Sequence, residues 1–215
     1  MFLSNRCPIC NRSQRRICLS CWESLPPAGN LAIDGVKWGM AIFAYAPQTR
    51  SVVLTAKNRG RRDLLRVAGT AMATAVATES DCASYDAVTW VPASPSQRRR
   101  RGFDQGRVLA RSVAPVVRSK AKPLLRRTGT AQTGRSRSDR LLGPDLTSRR
   151  PVRGAILLVD DVVTTGASLR RAAAELYHAG ASRVDAVVFA AVLPISSSGH
   201  LFPSQHPVER SLPWR

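Results

Sequence analysis

The sequence predicts an α/β fold built around a mostly parallel sheet with flanking helices, preceded by a small four-cysteine module. Residues 156–159 form a continuous aliphatic run, as expected for a strand buried on both faces in a parallel sheet. From Asp86 onward, strand-like apolar runs alternate with helical stripes, which is the pattern of an α/β domain. Two C-x-x-C motifs lie close together near the N-terminus and indicate a separate metal-binding unit.

The cysteine motifs predict a zinc-binding module over residues 1–26. Two C-x-x-C pairs offer four thiolates to one tetrahedral ion, and Zn²⁺ is the metal most often bound this way. The predicted ligands are Cys7, Cys10, Cys18 and Cys21. Reversible disulfides or redox motifs are the alternative, which is less favoured because no βαβ pattern surrounds the cysteines. Regular structure is expected to stop at Pro26-Pro27.

The next segment, residues 27–85, is predicted to join the module to the core domain. Its apolar pattern indicates one strand near residues 38–45, a short helix ending near Gly60, and a longer helix with an apolar face over residues 64–76.

Residues 86–193 are predicted to form the core α/β domain. Strands are expected at 87–91, 123–125, 156–159 and 184–191, and helices at 108–113 and 169–177. The polar stretch 126–150 is expected to be mobile and the tail 194–215 to be disordered.

Charge is the most unusual property of the composition. Lysine and arginine total 33 against 14 acidic residues, a net charge of +19, which favours a polyanionic partner such as nucleic acid or a phosphorylated ligand. Residues 98–101 are four consecutive arginines. Solvated arginines without a partner are the alternative. No apolar run has the roughly 18–20 residues of a membrane span, so we expect a cytoplasmic protein without membrane insertion.

The end of the aliphatic strand predicts a ligand site. Asp160 and Asp161 follow the strand, at the carboxyl edge where open α/β sheets bind ligands. The turn Thr164–Ser168 then leads into a helix, so that backbone N–H groups, hydroxyls and the helix N-terminus can hold a phosphate. Two carboxylates beside a phosphate suit ribose hydroxyls or a bridging Mg²⁺. An acidic turn that caps a helix is the alternative.

These residues carry a family resemblance. Residues 156–168, ILLVDDVVTTGAS, resemble the signature of type I phosphoribosyltransferases that binds phosphoribosyl pyrophosphate (PRPP). The four cysteines, together with VTWVPASPSQRRRRGFDQGRVLAR and AQTGRSRSDR, resemble the ComF family, which joins a zinc module to a phosphoribosyltransferase domain. The resemblance covers about residues 7–193. Asp104 and Arg140 stand where the family usually has asparagine.

The resemblance implies roles for individual residues. Asp160 and Asp161 would contact the ribose hydroxyls of PRPP, and Thr164, Thr165, Gly166, Ala167 and Ser168 would hold its 5-phosphate. Mg²⁺ would accompany PRPP. Candidates for binding pyrophosphate or DNA phosphates are Arg98, Arg99, Arg100, Arg101, Arg135 and Arg137. No catalytic side chain is identified.

Two functions follow from this reading. The first is a ComF-like protein that binds PRPP or a nucleotide and single-stranded DNA, and that supports DNA uptake and transformation together with helicase or channel proteins. Phe103 and Trp22 are the aromatic candidates for base stacking, although Phe103 suits the core equally well. The second is an active, Mg²⁺-dependent phosphoribosyltransferase of nucleotide salvage or a related pathway. A PRPP-sensing regulator is a third possibility, less favoured because no helix-turn-helix pattern is evident.

Overall fold

The computed structural model describes residues 6–14, 16–82, 84–128 and 144–192. The tail 194–215 and the central part of the stretch 126–150 lie outside these residues, so their expected disorder and mobility stay predictions. The helices are α1 (Leu19–Glu23), α2 (Pro47–Asn58), α3 (Arg62–Glu79), α4 (Pro95–Arg101), α5 (Gln105–Val113) and α6 (Ala167–His178). The strands are β1 (Pro27–Asn30), β2 (Gly39–Ala44), β3 (Ala87–Trp90), β4 (Leu125–Arg127), β5 (Leu146–Ser148), β6 (Ala155–Val163) and β7 (Arg183–Ala191).

Five strands form one sheet in the order β1-β2-β7-β6-β3. The strands β2, β7, β6 and β3 run parallel, and β1 pairs antiparallel with β2 at one edge. Strands β4 and β5 form a separate antiparallel ribbon. The predicted α/β fold with a mostly parallel sheet is therefore confirmed.

The segment 27–85 is part of this sheet. Its strand β2 pairs with β7, with Gly39 opposite Ala186 and Ala44 opposite Ala191. The domain boundaries at residues 26, 85 and 193 stay predictions, but the segment 27–85 contributes two strands to the same sheet as residues 86–193.

Helices cover both faces of the sheet. Leu157 of β6 packs in one hydrophobic cluster with residues of α2, α3 and α5, whereas its neighbour Leu158 packs in a second cluster with residues of α6. This alternation follows from the two-residue period of a strand. Because α5 follows β3 and α6 follows β6 on opposite faces, the carboxyl ends of β3 and β6 border a crevice of the kind that binds ligands in open α/β sheets.

Several local predictions were wrong or incomplete. Strand β6 extends to Val163, so both aspartates lie within it rather than after it. Strand β1 begins at Pro27, where regular structure was expected to stop, because proline is tolerated at the first residue of an edge strand. The stretch 126–150 is ordered at both ends, where β4 and β5 pair. Helices α1 and α4 were not predicted. No helix in the described part of the chain has the length and apolar character required to cross a membrane.

Candidate functional site

The acidic pair lies near the carboxyl end of β6. Asp160 and Asp161 are both partly buried, and the backbone N–H of Asp161 donates a hydrogen bond of 2.8 Å to Asp160 Oδ1. Because successive side chains of a strand point to opposite faces, the two carboxylates face different sides of the sheet. Asp161 faces the side covered by α2, α3 and α5, where it contacts Lys57. Because Leu158 packs in the cluster that contains α6, the alternation assigns Asp160 to the α6 side.

The turn after β6 leads directly into α6. Gly166 precedes the helix with φ +73°, a left-handed conformation that favours glycine. The Thr165 hydroxyl accepts a weak hydrogen bond of 3.4 Å from the Ala167 N–H, and the side chains of Thr164 and Thr165 are exposed. Backbone donors at the start of a 12-residue helix, beside exposed hydroxyls, give a local environment that favours an anion.

The ionisation of Asp160 is perturbed. Burial, together with the negative charge of Asp161, raises the pKa of Asp160 to about 7. The hydrogen bond from the Asp161 N–H and the charges of Lys57 and Arg127 act in the opposite direction. A half-buried carboxyl that titrates near neutral pH fits a group that receives its partners from a ligand.

Sequence reasoning missed a cation that contacts the pair. Lys57, in the last turn of α2, places its Nζ 2.8 Å from Asp161 Oδ2, and both side chains are largely buried. The two residues are far apart in sequence, and Lys57 has no local motif that would single it out. Only the three-dimensional fold brings them together.

Two arginines approach the acidic pair from neighbouring elements. The charge of Asp161 acts on the half-buried Arg101 at the end of α4, whose Nη1 donates to Gln105 Oε1 at 2.8 Å. Arg127 of β4 donates from Nε to the carbonyl oxygen of Pro92 at 2.6 Å, and its charge acts on Asp160. The acidic pair is therefore surrounded by cations on three elements.

The four arginines of residues 98–101, which were predicted to bind phosphates, lie on α4 and differ in their exposure to solvent. A capping box starts the helix, in which the Ser94 side chain accepts from the Gln97 N–H and Gln97 accepts from the Ser94 N–H. Arg98, Arg99 and Arg100 are exposed, whereas Arg101 turns inward. Arg135 and Arg137 lie outside the described residues.

A large cleft opens beside β3 and α5. Its volume is about 900 Å³, and none of the residues 160–168 lines it. The cationic residues in its walls are Arg62, Arg98, Arg99, Arg107, Arg111 and Arg149. We call this the arginine cleft. Trp90 and Phe103 also line it, and the guanidinium of Arg62 lies 4.9 Å from the centroid of the Phe103 ring.

Asp104 has a structural contact at the cleft. Its Oδ2 accepts a hydrogen bond of 3.2 Å from the Ala93 N–H, which braces the loop after β3 against the start of α5. Gly106, two residues later, allows α5 to approach β3 closely, because a Cβ there would lie 2.7 Å from Trp90 Cδ1. Asp104 thus lies among the arginines of the cleft, but its carboxylate accepts a hydrogen bond from the backbone.

The four predicted zinc ligands lie together. The Sγ atoms of Cys7, Cys10, Cys18 and Cys21 are all within 4.8 Å of one another. The Cys18 Sγ lies 3.6 Å from that of Cys10 and 3.8 Å from that of Cys7. Tetrahedral coordination with Zn–S bonds of about 2.3 Å requires separations of about 3.8 Å, so the cluster has the geometry to bind a zinc ion.

The electrostatics of the cluster also fit a cation. Burial opposes ionisation of Cys18, but hydrogen bonds from Ser20 and Cys21 outweigh it and lower the pKa of the thiol to about 6. Burial raises the pKa of Cys21, and the neighbouring sulfurs raise it further. Four thiolates cannot share this space without a positive ion between them.

The cysteine cluster is anchored to the core of the sheet. Trp22 of α1 is buried, and its ring lies 5.1 Å from that of Phe43 on β2 and 6.4 Å from that of Phe189 on β7, centroid to centroid. Arg61, also buried, donates a weak hydrogen bond of 3.4 Å to the carbonyl oxygen of Arg6 beside the cluster. The interpretation of Trp22 as a stacking residue for nucleic acid is not supported by this burial.

Comparisons with known proteins place these features in context. No family model matches the chain. The chain is similar to "Competence protein ComFC" of Bacillus subtilis (strain 168), with 25% identity over 190 residues, which is 81% of this chain and 72% of that protein.

Two solved structures are also similar. One is the allosteric regulatory enzyme of purine biosynthesis (25% identity, TM-score 0.39, 57% of this chain). The other is glutamine PRPP amidotransferase from B. subtilis complexed with ADP and GMP (21% identity, TM-score 0.42, 63% of this chain). The chain spans only 25% and 30% of the length of those two proteins. The match to ComFC and the four-cysteine cluster ahead of a mostly parallel α/β sheet confirm the resemblance to the ComF family that the sequence indicated.

Proposed function

We propose that this ComF-like protein acts in competence and binds a ribose 5-phosphate ligand such as PRPP at the carboxyl end of β6. The observation that carries the proposal is that Asp160 lies near the carboxyl end of β6, which leads through the Gly166 turn directly into α6. Ribose hydroxyls donate to a carboxylate, and a 5-phosphate accepts from the backbone N–H groups and hydroxyls of the turn. The two ends of ribose 5-phosphate match these two halves of the site.

Each residue has a defined task in this proposal. The hydroxyls of Thr164, Thr165 and Ser168 and the first N–H groups of α6 bind the phosphate, and Gly166 gives the turn its shape. The acidic end of β6 orients the ribose. Arg101, whose charge interacts with that of Asp161, would stabilise the charge of a pyrophosphate group. Mg²⁺, when bound with PRPP, would supply further neutralisation, and Asp160 offers the kind of oxygen ligand that Mg²⁺ prefers.

Isothermal titration calorimetry with PRPP and Mg²⁺ on zinc-loaded protein tests this site. We expect the wild type to bind and the Asp160→Asn plus Asp161→Asn variant to lose binding. The control is Glu79→Gln plus Glu23→Gln, which removes two exposed charges elsewhere and should bind normally. A wild type that binds neither PRPP nor ribose 5-phosphate would contradict the proposal.

The arginine cleft favours a second function, binding of single-stranded DNA. Six arginines supply contacts to phosphates, and the partly exposed Phe103 ring offers planar surface for bases. Each neutralised phosphate releases counterions, so affinity should fall steeply with salt. Fluorescence anisotropy with a labelled single strand from 50 to 200 mM salt checks this. An affinity independent of salt would show that the cleft does not bind the DNA backbone.

An active phosphoribosyltransferase would use the same PRPP site. Such an enzyme needs no side-chain nucleophile, because holding the leaving pyrophosphate and an acceptor in place promotes the reaction. A pyrophosphate-release assay across bases and amines separates this alternative from a binding protein. Release that depends on Mg²⁺ and is lost in the double aspartate variant would establish it.

A further inference from the structure

Asp160 and Asp161 have different surroundings, so they are not expected to contact the ribose in the same way. Asp161 points toward the side of the sheet covered by α2, α3 and α5, where it borders a small internal space lined by Val53, Leu64 and Leu109. Asp160 points to the side covered by α6, where the phosphate-binding turn lies. A single ligand on the turn side meets the two carboxylates unequally.

Asp161 already has a partner within the chain. Its Oδ2 is inaccessible to solvent and lies 2.8 Å from Lys57 Nζ, in an ion pair that lacks the angles of a hydrogen bond, and its side chain is only 13% exposed. The half-buried Arg101 adds a second positive charge near the same carboxylate. The enclosed Oδ2 therefore faces Lys57 rather than the open side of the site.

Lys57 is well placed to hold this contact. It lies in the last turn of α2, where the helix dipole favours a cation, and the helix packs through Val52, Val53 and Ala56 against the core. Its side chain is only 19% exposed. In an Asp161→Asn variant, the ammonium of Lys57 would therefore remain largely buried without its partner. Lys57 therefore connects α2 to the end of β6.

We propose that Lys57 and Asp161 form an internal ion pair that withdraws Asp161 from ligand binding and leaves Asp160 as the carboxylate that accepts hydrogen bonds from the ribose. The inference rests on the proposed ribose 5-phosphate site and assigns unequal roles within it. Asp160 is the binding residue. Lys57 and Asp161 are positioning residues that fix the end of β6 against α2.

The test combines affinity and stability in single and double variants. The variants are Asp160→Asn, Asp161→Asn, Lys57→Met, and Asp161→Asn plus Lys57→Met. Binding of ribose 5-phosphate is measured by calorimetry, and the unfolding midpoint by differential scanning calorimetry, both on zinc-loaded protein. Lys57→Arg keeps the charge and serves as the matched control.

We expect Asp160→Asn to weaken ribose 5-phosphate binding at least roughly 30-fold, and Asp161→Asn to weaken it less than about 5-fold. Asp161→Asn and Lys57→Met should each lower the midpoint by roughly 5 °C or more, because each leaves a largely buried charge without its partner. The double variant should lose clearly less than the sum of the two, and Lys57→Arg should retain most of the stability.

Two results would overturn the inference. The first is an Asp161→Asn variant that loses as much affinity as Asp160→Asn while its midpoint is unchanged, since Asp161 would then contact the ligand. The second is strict additivity of the Lys57 and Asp161 stability losses. If the wild type does not bind ribose 5-phosphate, the proposed site fails, whereas the stability cycle still decides whether the two residues are coupled.

Discussion

The end of β6 and the arginine cleft both border the carboxyl ends of strands, yet they are built on opposite principles. At the end of β6, a few partly buried groups have defined partners, as in the contact between Lys57 and Asp161. In the cleft, mostly exposed arginines surround an open volume of about 900 Å³. The first arrangement suits one small ligand in one orientation. The second suits a flexible polyanion that can bind in many registers.

The largest effect is expected from loss of the zinc site, which tests whether the end of β6 and the arginine cleft both depend on the cysteine module. Cys18→Ser should abolish zinc binding and lower stability by several kcal/mol, on the order of 5, because metal coordination contributes directly to folding. Metal content by mass spectrometry and the unfolding midpoint measure this. Cys82→Ser, which changes a cysteine outside the cluster, should change neither quantity. If Cys18→Ser spares the β6 site and the cleft, the module is independent of the sheet.

A charge reversal in the cleft sharpens the contrast in salt dependence. Arg98→Glu plus Arg99→Glu should weaken single-stranded DNA binding roughly 10- to 100-fold and reduce the salt slope by at least about 1.4, since about 0.7 is lost per phosphate contact. Ribose 5-phosphate binding should be unaffected. The matched control is Arg150→Glu plus Arg153→Glu, two exposed arginines that do not line the cleft. An equal loss in this control would mean that net charge alone binds DNA.

The raised pKa of Asp160 should make the free energy of unfolding depend on pH. The folded protein holds the Asp160 proton more tightly than the unfolded chain, because the pKa of this carboxyl is raised to about 7. Below about pH 4, Asp160 is protonated in both states and does not destabilise the fold. As the pH rises to about 7, the unfolded chain loses this proton first, so the free energy of unfolding decreases. Asp160→Asn should therefore be more stable than the wild type at pH 8, by at most about 4 kcal/mol, since each pKa unit corresponds to about 1.4 kcal/mol, and similar to it at pH 4.

Urea unfolding at both pH values measures that difference. The charges that act on Asp160 are those of Asp161, Lys57 and Arg127, and all are retained in the variant. A stability difference that is the same at pH 4 and pH 8 would contradict a raised pKa.

The smallest expected effect concerns the start of α4. Ser94→Ala removes the capping box and should cost about 1 kcal/mol, which loosens the helix that carries Arg98 and Arg99. Amide hydrogen exchange in residues 95–101 should increase, with DNA affinity reduced only a few-fold. Ser182→Ala removes an exposed hydroxyl outside α4 and is the control.

Much of the central sheet was readable from the sequence. The aliphatic run 156–159 identified β6, and the spacing of the cysteines identified the metal cluster, because both are local patterns with few alternatives. The capping box at Ser94 was also local, but the run of arginines after it was interpreted only as charge. Strands β4 and β5 have three residues each, too few for a periodic signal.

The contacts that define the site were not readable in the same way. The ion pair of Lys57 with Asp161 joins α2 to β6, and the arginine cleft gathers residues from 62 to 149. Neither has a sequence signature, since each depends on how elements far apart along the chain are packed. The sequence therefore identified the edge of the sheet where the proposed site lies, but not the contact that distinguishes its two acids.

The position of β7 has a consequence for how the chain acquires its structure during synthesis. This strand lies between β6 and β2, yet it is the final strand along the described chain. Trp38 just before β2 donates its N–H to Asp185 of β7, 147 positions later. Until the ribosome has released residues 183–191, β2 has no partner on that side and Trp22 lacks Phe189. Pairing between strands that are distant in sequence slows folding. The apolar residues of the N-terminal half therefore stay partly exposed to solvent until β7 has been synthesised.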